Sequence, residues 1–144
     1  NIMDKETRRA IILDNYQNPT HRGLIEDDSF IKDNTRSNSC IDNIDLMVKV
    51  KDGIIEDCYF DGEACAICTS STSIIVKTLI GKTLQEAKKI MQNYQNMINE
   101  EEYDASLLGE LNAFDEIYLQ PARKNCALLT SKTVFKIIDK VEAK

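Results

Sequence analysis

The sequence predicts an α+β fold: a small antiparallel sheet of about three strands packed against four to five helices. Three observations lead there. An alternating stretch over residues 43–50 is followed by Asp52-Gly53, a strong hairpin signal. Helical apolar spacing recurs in several separate segments. Only two prolines and five glycines punctuate the 144 residues, fewer breakers than an all-β sandwich needs.

The elements follow in order. Residues 4–16 read as a first helix, with Asp4 as its cap and Ala10, Ile11, Ile12 and Leu13 on its apolar side. Asn18-Pro19 ends it, because a residue before proline is pushed out of the helical region. Residues 29–32 read as a short strand and the polar stretch 33–39 as a loop. Ile44, Leu46, Val48 and Val50 then alternate with Asn43, Asp45, Met47 and Lys49, a strand with one buried face. Residues 54–60 return as its partner, and residues 61–64 break the pattern. A helix over 66–80 opens on small hydroxyl residues and stops at Gly81. Thr83 with Glu86 forms a capping box for the next helix, which runs to about residue 99. The acidic stretch 100–112 reads as an insertion with a short helical turn, and 125–141 as the last helix. No repeat or linker interrupts the chain, so residues 1–144 are expected to form one domain.

Composition narrows the function. Hydrophobic residues make up 42% and charged residues 29%, ordinary for a globular protein. The formal net charge of −6, with no basic stripe, argues against nucleic acid as a partner. Apolar runs are too short to span a bilayer, and the polar first nine residues hold no signal-peptide core. A cytoplasmic location is expected. Five cysteines is an odd number and does not suit a secreted disulfide framework. Reduced thiols point instead to metal binding, sulfur chemistry or burial.

Cys40-Ile41-Asp42 places a thiol and a carboxylate two residues apart at the entrance to a strand, where both point to one side. Cys65 sits in the break before a helix, and Cys126 near the start of the last one. Three thiolates and one carboxylate suit a tetrahedral zinc site, which would keep a net double negative charge. Arg123 and Lys124 stand just before Cys126 as candidate compensating charges. Spacing alone is equally compatible with separate, polar-flanked cysteines. Cys65 and Cys68 form a CxxC, but no second CxxC and no thioredoxin-like pattern accompany it. Cys58 reads as a buried small hydrophobe, His21 as a solvent-facing turn residue, and Glu100 to Glu102 as a solvated face.

Taken together, four ordered motifs resemble the SufU and IscU family, whose domain is shared with the N-terminal part of NifU. They are Asn18-Pro19 through Gly23, Ser39-Cys40-Ile41-Asp42, Asp61-Gly62-Glu63-Ala64-Cys65, and Pro121-Ala122-Arg123-Lys124-Asn125-Cys126. The long Cys65–Cys126 interval, Asn125 beside the last cysteine and the missing Leu-Pro-Pro run resemble the SufU branch. Ile41 and Ala64 stand where that family carries glycine, which makes the site entrance bulkier.

The resemblance implies a SufE/NifU-like fold and a zinc ion on Cys40, Asp42, Cys65 and Cys126. It implies sulfur acceptance by Cys40 from a SufS-type cysteine desulfurase, with Asp42 and Arg123 assisting, and delivery to downstream iron–sulfur assembly proteins. It thus describes an accessory sulfurtransferase rather than a stand-alone enzyme. The alternatives are a scaffold that assembles a transient 2Fe-2S cluster on the same residues, a structural-zinc interaction module, and a CxxC oxidoreductase.

Overall fold

The structure is a computed structural model that describes residues 3–36 and 41–144. The observed α-helices are α1 (Lys5–Gln17), α2 (Ala66–Leu79), α3 (Leu84–Ile98) and α4 (Pro121–Glu142). Three strands, β1 (Ile31–Arg36), β2 (Asn43–Lys51) and β3 (Ile54–Glu63), pair antiparallel in the order β1-β2-β3. This is the expected α+β layout. Among the described residues, no helix is long and apolar enough to cross a membrane.

The hairpin forms as its sequence requires. Asp52 and Gly53 both take positive φ, 54° and 74°, the conformation of a tight primed turn. Ile44, Leu46 and Val48 line the buried face of β2, opposite Gly62, Phe60 and Cys58. The pairing slips by one residue where Lys49 meets Asp57 and Val50 meets Ile55. That slip flips the side-chain alternation, so Ile55 on one side of it and Cys58 and Phe60 on the other all reach the core.

Three expectations need correction. The first strand lies at Ile31–Arg36, over part of the stretch read as loop. Only Thr35 of it is buried, so it lacks the alternation that marks a strand in sequence. Neighbours hold it instead: Asn34 donates to the side chains of Asn43 (2.7 Å) and Asp45 (3.0 Å), and Lys140 of α4 reaches Asp33 at 3.0 Å. Second, the segment read as an insertion is partly core. Three short 3-10 turns, Ala105–Leu107, Gly109–Phe114 and Ile117–Leu119, bury Leu108, Leu111, Phe114 and Ile117. The paired Arg8–Asp115 contact, 2.7 and 3.2 Å, ties them to α1. Third, β3 continues through Glu63, and α4 begins at Pro121, four residues earlier than expected. Proline suits the first helical turn, whose amide has no partner in any case.

The extension of β3 decides where the site lies. Asn43 pairs with Glu63 and Ile44 with Gly62, so the start of β2 meets the end of β3. Gly62 has φ +140°, and a Cβ there would collide with the carbonyl oxygen of Asn43. Only glycine allows this approach. Gly62→Ala is therefore expected to destabilise the fold by on the order of 2 kcal/mol, lowering Tm by roughly 5 °C or more. Thermal unfolding checks it, with Gly81→Ala as comparison: Gly81 is also strained, at φ +89°, but a Cβ there meets open space.

Candidate metal centre

Asp42 lies directly before β2, is 1% exposed and aims its carboxylate at the N-terminus of α2. Its Oδ1 accepts the backbone N–H of Cys65 at 2.7 Å. Cys65 is the N-cap of α2, in extended conformation, and its own side chain makes no capping bond. The carboxylate thus satisfies the N-cap amide from outside the helix. Its second oxygen, Oδ2, faces the Cys65 thiol at 3.6 Å.

Cys126 completes the group from the second turn of α4, where it is 1% exposed. Ligand atoms of Asp42, Cys65 and Cys126 all lie within 4.8 Å of one another. Burial pushes the Cys126 thiol well above its ordinary pKa, and Asp42 and Cys65 push it further. The Cys126 thiol therefore holds its proton, and a divalent cation is what can replace it. Tetrahedral zinc needs sulfur and oxygen ligands about 3.3–3.8 Å apart. The 3.6 Å separation of Cys65 Sγ and Asp42 Oδ2 falls in that range. Two sulfurs and one monodentate oxygen fit zinc and leave a fourth position open.

Cys40, the expected fourth ligand, lies outside the described residues. Arg123 is exposed in the first turn of α4 and Lys124 is half-buried. Ile41 is 78% exposed directly beside Asp42. Cys68 points into the core, fully buried, while Cys65 turns to Asp42 and Cys126. The described cysteines form no disulfide. Cys58 is buried in β3, as expected. His21 is half-exposed, with its ring 5.5 Å from Tyr59, and takes no part in the group. Sequence reasoning missed Gly62 as the contact that joins the two arms of the site. The motif was visible, but a Gly in a break does not reveal which carbonyl will pass beside it.

With this geometry in place, the comparison with known proteins is informative. The sequence matches the NifU-like N-terminal domain model over residues 7–144. The chain belongs to that family. This NifU-like chain is 33% identical, over 93% of its length and 90% of the relative's, to the zinc-dependent sulfurtransferase SufU of Bacillus subtilis. It is 30% identical to the iron–sulfur cluster assembly scaffold protein IscU of Thermotoga maritima, covering 90% of this chain and 91% of that one. The crystal structure of a candidate iron–sulfur cluster assembly scaffold for the SUF system of Fervidobacterium islandicum superposes with a TM-score of 0.83 at 32% identity, covering 89% of this chain and 93% of that one.

The buried thiol outside the site gives a pH test. Burial holds Cys58 far above the ordinary thiol value of 9.0. A group raised in the folded state stabilises fully below its unfolded pKa, and that contribution declines as pH rises past it. Stability should therefore fall above about pH 9, and Cys58→Ala should flatten the slope by up to about 1.4 kcal/mol per pH unit. Urea denaturation of both proteins between about pH 8 and 10 measures it.

Proposed function

We propose that this chain is a zinc-binding sulfur-transfer protein of iron–sulfur cluster assembly, which accepts sulfur from a SufS-type cysteine desulfurase. The observation that carries this reading is the convergence of Asp42, Cys65 and Cys126 from three elements onto one point. Cys40 stands two residues before Asp42 in the sequence and completes the four-residue set that the resemblance implies. Zinc bound to these four side chains would hold the thiols deprotonated until a partner docks.

The chemistry is thiol exchange. The Cys40 thiolate attacks the outer sulfur of the partner's cysteine persulfide. The sulfur–sulfur bond of that persulfide breaks, the partner's cysteine leaves as thiolate, and Cys40 carries the persulfide away. Asp42, whose Oδ1 accepts the Cys65 amide, would offer the metal its other oxygen. Arg123, exposed on the first turn of α4, would offset negative charge of the site. A second reading has support in the scaffold-named relatives: the same thiolates assembling a transient 2Fe-2S cluster.

Metal analysis and a desulfurase assay separate these readings. Protein purified in air should hold about one zinc per chain and no coloured cluster. Cys40→Ala should abolish sulfur acceptance and desulfurase stimulation, while Cys68→Ala, buried away from the site, should keep most of both. Stoichiometric iron and sulfide would establish the scaffold, and a Cys68→Ala protein as inactive as Cys40→Ala would restore the dithiol.

Carboxylate is a harder ligand than thiolate and binds zinc less firmly. Asp42→Cys should therefore bind zinc at least as tightly as wild type, resist chelators longer and transfer sulfur much more slowly. Zinc loss to a competing chelator and desulfurase turnover, measured on the same preparations, check this. Full turnover with tight zinc would remove Asp42 exchange from the mechanism.

A further inference from the structure

Helix α2 carries five consecutive hydroxyl residues, Thr69 to Ser73, all at most 2% exposed. A buried helix normally packs through apolar side chains, and buried hydroxyls cost free energy unless bonded. Short-range bonds account for part of the set: Ser70 donates to the carbonyl of Ala66 at 2.6 Å, as a hydroxyl inside a helix commonly does. The last two do more, because successive helical residues point about 100° apart and these two bond to different helices.

Ser73 donates to Asn15 of α1 at 2.9 Å and accepts the Thr20 amide at 2.8 Å. Thr72 lies 2.6 Å from the hydroxyl of Thr130 on α4. Ser71 donates to the Cys68 carbonyl of its own helix at 3.1 Å, and Tyr94 of α3 donates to the Ala127 carbonyl of α4 at 2.8 Å. The Thr72–Thr130 bond has a definite direction. Thr72 has one hydroxyl proton and gives it to the Cys68 carbonyl at 2.7 Å. Thr130 must therefore be the donor to Thr72.

Both partners of that bond sit behind the candidate site. Thr72 is seven residues, nearly two full turns, after Cys65, and so on the same side of α2. Thr130 is four residues after Cys126, on the same side of α4. Apolar contact alone lets a helix slide or rotate at little cost, whereas bonds in two directions, from Thr72 to α4 and from Ser73 to α1, oppose both motions. Metal–ligand distances tolerate deviations of only about 0.2 Å.

We infer that the hydroxyls of Thr72 and Ser73 form a positioning collar that fixes the rotation and axial register of α2, and that the Thr72–Thr130 bond sets the spacing of Cys65 and Cys126. Thr72 and Thr130 are positioning residues, acting through the helices that carry the thiols. The inference rests on the metal-binding reading above for its function, but the spacing it describes exists without metal.

The test compares Thr72→Val, which keeps shape and loses the hydroxyl, with Thr72→Ser, which keeps the hydroxyl. Thr133→Val is the control, since Thr133 is equally buried but bonds only to the Leu129 carbonyl of its own helix. The readouts are zinc release to a chelator and the visible spectrum of the cobalt-substituted protein, which reports ligand geometry. Thr72→Val should release zinc about tenfold faster, the usual effect of losing a supporting contact behind a metal ligand, and should shift the cobalt bands. Thr72→Ser should restore both, and Thr133→Val should match wild type. Equal behaviour of Thr72→Val and wild type, or of Thr72→Val and Thr133→Val, overturns the inference. If wild type takes up neither metal, the function reading fails instead. The collar is then judged by how fast phenylarsine oxide, which must bridge two thiols, links Cys65 to Cys126, as mapped by peptide mass. An unchanged rate in Thr72→Val would overturn it.

Discussion

The bond from the Cys65 amide to the Asp42 carboxylate, 2.7 Å long, is the contact on which the arrangement depends. It joins the residue that leads into β2 to the residue that opens α2, twenty-three positions later. It forms because β2 and β3 pair to their ends, and they do so because Gly62 carries no side chain where the Asn43 carbonyl passes. A side chain there would part the strands, and Asp42 and Cys65 would separate with them.

That single contact also determines what the carboxylate can do. One oxygen is committed to the helix amide, and the other is left facing the thiols. The fold itself holds the Asp42 carboxylate in place through that amide bond. A helix N-terminus favours anions, and the carboxylate meets the first turn of α2 there.

Positioning of this kind has a cost, and α2 carries it. A helix buried on all sides would be cheapest to pack with leucine and alanine. Here polar side chains are buried instead, each compensated by a bond. The return is direction: hydroxyls at successive positions tie α2 to α1 and α4 at once. The core on the other side of the sheet interface remains ordinary, with Ile44, Leu46, Val48 and Phe60 against α2 and α4.

Much of this was legible in the sequence, for reasons that are local. The Asp52-Gly53 turn, the Thr83–Glu86 capping box, the Asp4 cap and the alternation of β2 depend on residues within a few positions of one another. Cys65 and Cys126 could be named as site residues because motifs flank them. The resemblance of those motifs also pointed to the family. What local pattern cannot carry was decided by tertiary structure. β1 is a strand because β2 and α4 hold it, and 3-10 turns after residue 104 are core because α1 and α2 leave a surface for them to cover. The role of Gly62, the bond from the Cys65 amide to Asp42 and the burial of Cys68 all depend on which backbone passes beside which. That is set by packing between elements far apart in the chain, where a residue's identity says what it can bond to and only the fold says what is within reach.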